Sequence, residues 1–268
     1  MRRATLLCAL ATLLNATAAR PHDRWDLGTL SNDDTSGTPN ELPPGASQVH
    51  DLEATGSPAD QDWFKTRVRD RRSYEARVSG VSGVGFSSID GPPCIAGFCA
   101  DLDRVNAGGG ILQSAAMLEG SPHAVSLRWI APATGDGYLR VTGPNGTALS
   151  TSDSYELEFF DTTYAAPRFN NSASQTTVLI IQNLKVVSVA GNIDFHNAAG
   201  VLLHSEPLAL NAKATAVVNT ATLPGLAGQS GSVLVAQTGG YGALAGKAVA
   251  LEPATGFTFD TPLVSAPR

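Results

Sequence analysis

Asp60 and Asp62 in SPADQD place two carboxylates at the entrance of a strand-like segment, and Asp33 with Asp34 offers a second pair upstream. Hard oxygen donors of this kind suit calcium, which makes Asp60 and Asp62 the candidate metal ligands and calcium the one candidate ion, with no cofactor otherwise expected. The competing reading has both side chains bonding nearby backbone amides to close a turn. Nucleophilic catalysis would need a base and an acid beside a hydroxyl. His50, His123, His196 and His204 are on hand, and in DFHNAAG Asp194 precedes His196 on the same sheet face. Sandwich strand ends display such residues in turns as a matter of course, so no catalytic residue is assigned and the chain is read as a non-enzyme.

Two motifs that resemble active-site loops fail on inspection. GALAGKA at Gly242 to Ala248 ends like a phosphate-binding loop, but Tyr241 stands where its first glycine belongs and Ala248 where its metal-binding hydroxyl belongs. GQSGS at Gly228 to Ser232 lacks the closing glycine of a nucleophile elbow. Both read as turns. Exposed aromatics are what a polymer or protein surface needs. Trp63 is out of register with Phe64 and Val68, so it is expected on the wet face beside Lys65 and is the candidate ligand-binding residue. NGT at Asn145 and NNS at Asn170 fit the glycosylation sequon and are expected to be bare.

These residues must be carried by an exported chain. The opening MRRATLLCALATLLNATAA has two arginines, an apolar run from Ala4 to Leu14 and then small residues, the layout of a signal peptide over 1–19. The run is short of the roughly 20 residues that span a bilayer, so a secreted or periplasmic protein without a membrane span is expected. A formal charge of -6 argues against a nucleic-acid partner, which would need a basic face. Once Cys8 leaves with the leader, Cys94 and Cys99 in GPPCIAGFC remain, and in an oxidising compartment they are expected to form a local disulfide. The rival, half of a zinc site, lacks a second ligand pair at suitable spacing.

Residues 20–45 are polar and rich in Pro, Gly, Asn and Asp, which reads as a flexible arm. Beyond it the period is two. Phe64, Thr66 and Val68 alternate with Lys65, Arg67 and Arg69, and Tyr74, Ala76 and Val78 alternate with Glu75 and Arg77. That pattern predicts an antiparallel hairpin with one wet face, the arginines being solvated. Further strands are expected at Ile111 to Leu118, Ala124 to Ile130, Gly137 to Thr142 and Tyr155 to Phe160. From Thr163 the charges thin out and short apolar runs bounded by turns continue to the end, with no amphipathic helix of three turns. The fold class is therefore all-β, two consecutive β-sandwiches over 46–162 and 163–264.

SPADQDWFKTRVRDRRSYEARVSG, with DGYLRVTG and SYELEFFD further on, resembles the bacterial pre-peptidase C-terminal domain family. The resemblance implies a jelly-roll-like sandwich of the kind appended to secreted enzymes, some of which bind collagen or polysaccharide. It covers under half the chain, and the Cys94 to Cys99 loop departs from it. RFNNSASQTTVLIIQN and GSVLVAQTGGYGALAGKAVALEP look like immunoglobulin-like domains of exported bacterial proteins. Taken together, the expected function is a non-catalytic binding or adhesion module for extracellular or envelope polysaccharide or protein. The alternatives are an accessory part of a secreted hydrolase and a structural spacer.

Overall fold

The structure, a computed structural model, describes residues 33–38, 40–51, 61–82, 85–86, 99–118, 124–143 and 154–267. The leader, the arm as far as residue 32, Asp60, Cys94 and its expected disulfide, His123 and the Asn145 sequon lie outside the described residues. Among the described residues the regular structure is strand, apart from one 3-10 turn at Thr220–Thr222. No helix there is long and apolar enough to cross a membrane.

The first unit comprises β1 (Ala46–Asp51), β2 (Gln61–Val68), β3 (Ser73–Ser82), β4 (Gly85–Phe86), β5 (Cys99–Val105), β6 (Ile111–Ser114), β7 (Ala116–Met117), β8 (Ala124–Ile130), β9 (Gly135–Thr142) and β10 (Ser154–Asp161). One sheet has the order β1-β10-β3-β8-β7, and the other β2-β9-β5-β4 with β6 on β5. Every pairing is antiparallel except β4 with β5. Between the sheets Tyr74, Trp129 and Phe159 stack, with ring centroids 5.4 Å apart for Tyr74–Phe159 and 5.9 Å for Trp129–Phe159. Phe64, Leu127, Leu139 and Leu157 fill the space around them.

Phe64, Thr66 and Val68 point inward, as do Tyr74, Ala76 and Val78, so the alternation is realised. The expected hairpin is not. β2 pairs with β9, whereas β3 lies between β10 and β8 in the opposite sheet. Arg69 to Arg72 is an arch between sheets, and the two apolar faces meet across the core. Arg71 takes a left-handed φ of 62° at the bend, and the Arg69 N–H donates to the Tyr74 hydroxyl at 2.8 Å. A two-residue hairpin would want Asn-Gly or Asp-Gly at its tip; Asp70-Arg71 supplies only half of that.

The second unit comprises β11 (Tyr164–Asn170), β12 (Thr176–Asn183), β13 (Val189–Asn197), β14 (Leu202–Leu210), β15 (Thr215–Asn219), β16 (Ser230–Gln237), β17 (Leu244–Glu252), β18 (Phe257–Pro262) and β19 (Val264–Ser265). Its sheets run β14-β13-β16-β11-β19 and β15-β12-β17-β18. A separate core forms between them around Phe169 and Phe195, edge to face at 5.3 Å, with Leu179, Ile181, Ile193 and Val233.

The outer face of β3, expected to be wet, is covered by the second sandwich. Glu75 is fully buried there. Its carboxylate accepts from Arg128 Nε at 2.9 Å, from Arg77 Nη2 at 3.3 Å and from the Tyr241 backbone N–H at 2.8 Å. Beside it Phe160 and Tyr241 pack at 5.3 Å. Arg71 reaches Asp194 with both ends of its fork, at 2.7 and 2.6 Å, and Ser205 at 2.8 Å. The connecting residues are tied too, because the Thr162 N–H donates to the Ser73 carbonyl and Arg72 holds Asp161 at 2.8 Å. The arginine run is thus split: Arg67 and Arg69 are exposed, while Arg71, Arg72 and Arg77 bind carboxylates.

Gly240 makes the close approach feasible. Its φ is +81°, and a Cβ there would lie 2.7 Å from Arg128 Nε and 2.8 Å from Glu75 Oε1. Gly240→Ala is expected to destabilise the protein by about 1–3 kcal/mol through strain and a displaced ion pair. Chemical denaturation measures this, and an unchanged midpoint would contradict the packing described.

Candidate metal centre

Asp62 shares its parity with Phe64, Thr66 and Val68, so it is a carboxylate on the inward face of β2. The arm brings a second one. Residues 33–38 and 40–42 run alongside β2: the Trp63 N–H donates to the Asp33 carbonyl at 2.7 Å, Lys65 N–H to Asn40 at 2.9 Å and Leu42 N–H to Lys65 at 2.9 Å. At least this part of the arm is therefore held against the sheet, with the Asp33 side chain buried beside Asp62. From the opposite sheet β1 contributes His50, whose register partner is Tyr155 on β10. The imidazole packs edge-on to Phe64 at 4.7 Å and over Tyr155 at 5.9 Å.

Asp33, His50 and Asp62 each offer a ligand atom within 4.8 Å of the others, and all three are buried. His50 Nε2 is 3.0 Å from Gln48 Oε1, which leaves Nδ1 towards Asp33 Oδ2 at 3.8 Å. The Tyr155 hydroxyl donates to Asp62. Two carboxylates drawn together away from water favour a bound cation, and the three donors are close enough to hold a metal ion. The donor set of two oxygens and one imidazole nitrogen fits zinc or manganese better than calcium, which prefers six to eight oxygens.

The residues singled out in the sequence are thus regrouped. Asp62 finds its partner in Asp33 of the arm and in His50, which had been weighed only as a catalytic base. Asp34 is partly exposed outside the cluster. Trp63 is corrected: it is 5% exposed, on the outer face of its sheet but covered. Arg140 lies over its ring at 5.8 Å, Tyr138 meets it edge-on at 6.3 Å, and the turn at Gly109 closes above it. Asp194 binds Arg71 and accepts from Ser205 Oγ at 2.6 Å, and a bulge separates Phe195 from His196. His204 Nε2 instead faces Glu206 at 3.2 Å. Lys247 of the GALAGKA stretch lies on β17, paired with Asp260 of β18. Asn170 of the second sequon is buried, accepting from Ser172 in its own loop.

No known family model matches the chain, and no curated protein matches it. Among solved structures it is similar to the pre-peptidase C-terminal domain of a collagenase from Bacillus anthracis, known at 1.0 Å, at 16% identity. The match covers 45% of this chain and 92% of that one, with a TM-score of 0.30. At that score the likeness carries no argument of its own, and the β-sandwich architecture stands on the strand pairings.

Chelation tests whether the cluster holds a metal ion. Protein stripped with a chelator is expected to gain several degrees of Tm on adding zinc or manganese, more than with calcium, and Asp62→Asn is expected to abolish the gain. A Tm indifferent to all three ions would contradict a metal site here.

Proposed function

We propose that this is an exported, non-catalytic binding module for an extracellular or envelope polysaccharide or protein, built as two sandwiches in a fixed relative orientation. A divalent cation among Asp33, His50 and Asp62 would fasten the arm to the first sandwich. Export rests on the leader-like first nineteen residues.

The observation that carries the non-catalytic reading is the use made of Asp194. Asp194, two residues before His196, has both of its oxygens engaged by Arg71 of the other sandwich while Ser205 donates to it. An acid so engaged orients no base. Glu75 is committed in the same way, so two buried carboxylates serve orientation. A module that presents a surface made from both sandwiches has that requirement.

Immobilised mature protein is expected to retain a polymer or an envelope protein when challenged with cell-envelope fractions and with insoluble polysaccharides and collagen. A panel of ester, peptide and glycoside substrates is expected to show no turnover. Turnover that survives purification to homogeneity would overturn the proposal, as would the absence of any retained component.

A further inference from the structure

On β5 the inward positions are Ala100, Leu102 and then Arg104. A cation thus occupies the place in the period where a core residue belongs. It reaches over Trp129 of the opposite sheet, with the guanidinium carbon 5.4 Å from the ring centroid. Among the described residues no carboxylate pairs with it, and its buried Nε has no hydrogen-bond acceptor. Desolvation lowers the Arg104 guanidinium from its ordinary value, with no neighbouring charge to offset it. Leaving a half-buried cation without a counter-charge is costly.

The guanidinium lines a cavity of about 340 Å³ at one end of the first sandwich, together with Trp129, Leu112, Val105, Tyr138 and Asp136. Its size is at the small end of ligand sites. Leu112 is 55% exposed at its rim, an apolar side chain left open to solvent next to an apolar recess. Asp136 is the carboxylate on the wall, and it is held by Lys65 at 2.9 Å. The lining is therefore mainly apolar and aromatic, with one positive charge that no described carboxylate pairs.

We propose that this cavity binds a carboxylate carried on an apolar body, with Arg104 receiving the carboxylate and Trp129, Leu112 and Tyr138 enclosing the body. A planar fork matches a carboxylate in two parallel hydrogen bonds. A single cation in an apolar recess balances a monoanion, whereas a phosphate dianion would call for a second one. The carboxylate could belong to a free aryl or alkyl acid or to the C-terminus of a peptide. The site lies apart from the Asp33, His50 and Asp62 cluster and does not depend on which polymer or envelope protein the module holds.

Isothermal titration calorimetry on the mature chain tests it with two acids, 4-phenylbutyrate and acetyl-Ala-Phe, each beside its own primary amide. At least one acid is expected to bind about tenfold or more tightly than its amide, the loss that follows from removing a charge-assisted hydrogen bond. Whichever acid binds more tightly identifies the source of the carboxylate. Arg104→Gln is expected to weaken that acid by the same factor and leave the amide unchanged, while Arg104→Lys retains part of the preference. Equal affinity of acids and amides, or no saturable binding by either acid, overturns the proposal. Because the acid and amide are compared on the unaltered protein, that result holds even if a variant folds poorly.

Discussion

A carboxylate buried at a domain junction must be neutralised and hydrogen-bonded in full, or the junction opens. Glu75 meets that demand from three directions: a cross-strand arginine, a second arginine on its own strand and a backbone N–H from the other sandwich. Only the last comes from the second unit, and it arrives because Gly240 lets the backbone approach without a Cβ. Arg71 answers from the opposite direction, its left-handed backbone turning the fork onto Asp194. Each sandwich thus buries a carboxylate that the other helps to satisfy. Such a joint resists hinge motion, since opening it would strip donors from a charge in a poorly hydrated setting.

The same physics applies to the polar groups on inward faces. Asp62 and His50 occupy core parity in opposite sheets, and the arm supplies Asp33 to the same place. Arg104 occupies core parity at one end of the first sandwich, stacked on Trp129. A sandwich of this size gains stability from apolar inward residues, so charges placed there weaken it unless something binds or pairs them. A metal ion at one locus and a carboxylate ligand at the other are partners that the local donor sets fit.

Strand positions were largely legible in the sequence because period two is a local property. Ala124–Ile130 reads directly as β8, and Phe64 to Val68 and Tyr74 to Val78 face the core as their alternation requires. Sheet assignment was not legible, since alternation states which side of a strand is apolar and not which strand lies beside it. The arch at Arg69 to Arg72 and a hairpin have the same pattern. Nor does alternation tell a wet face from one covered by a second unit, and so Glu75, Arg71 and Arg77 resembled solvated charges. Asp62 could have been recognised as inward from its parity with Phe64. Arg104 was missed because the stretch between the cysteine loop and Ile111 carries mixed charges that hide β5. Trp63 has outward parity, and it is covered by Arg140 and Tyr138 of β9 and by the β5–β6 turn, which parity does not reveal.

The central claim is that the two sandwiches form one rigid body. Residual dipolar couplings of backbone amides, measured in a dilute liquid-crystalline medium, test it directly. One alignment tensor fitting both 61–161 and 164–263 with equal magnitude is the expected result. Two tensors of clearly different magnitude would show independent motion and contradict the account.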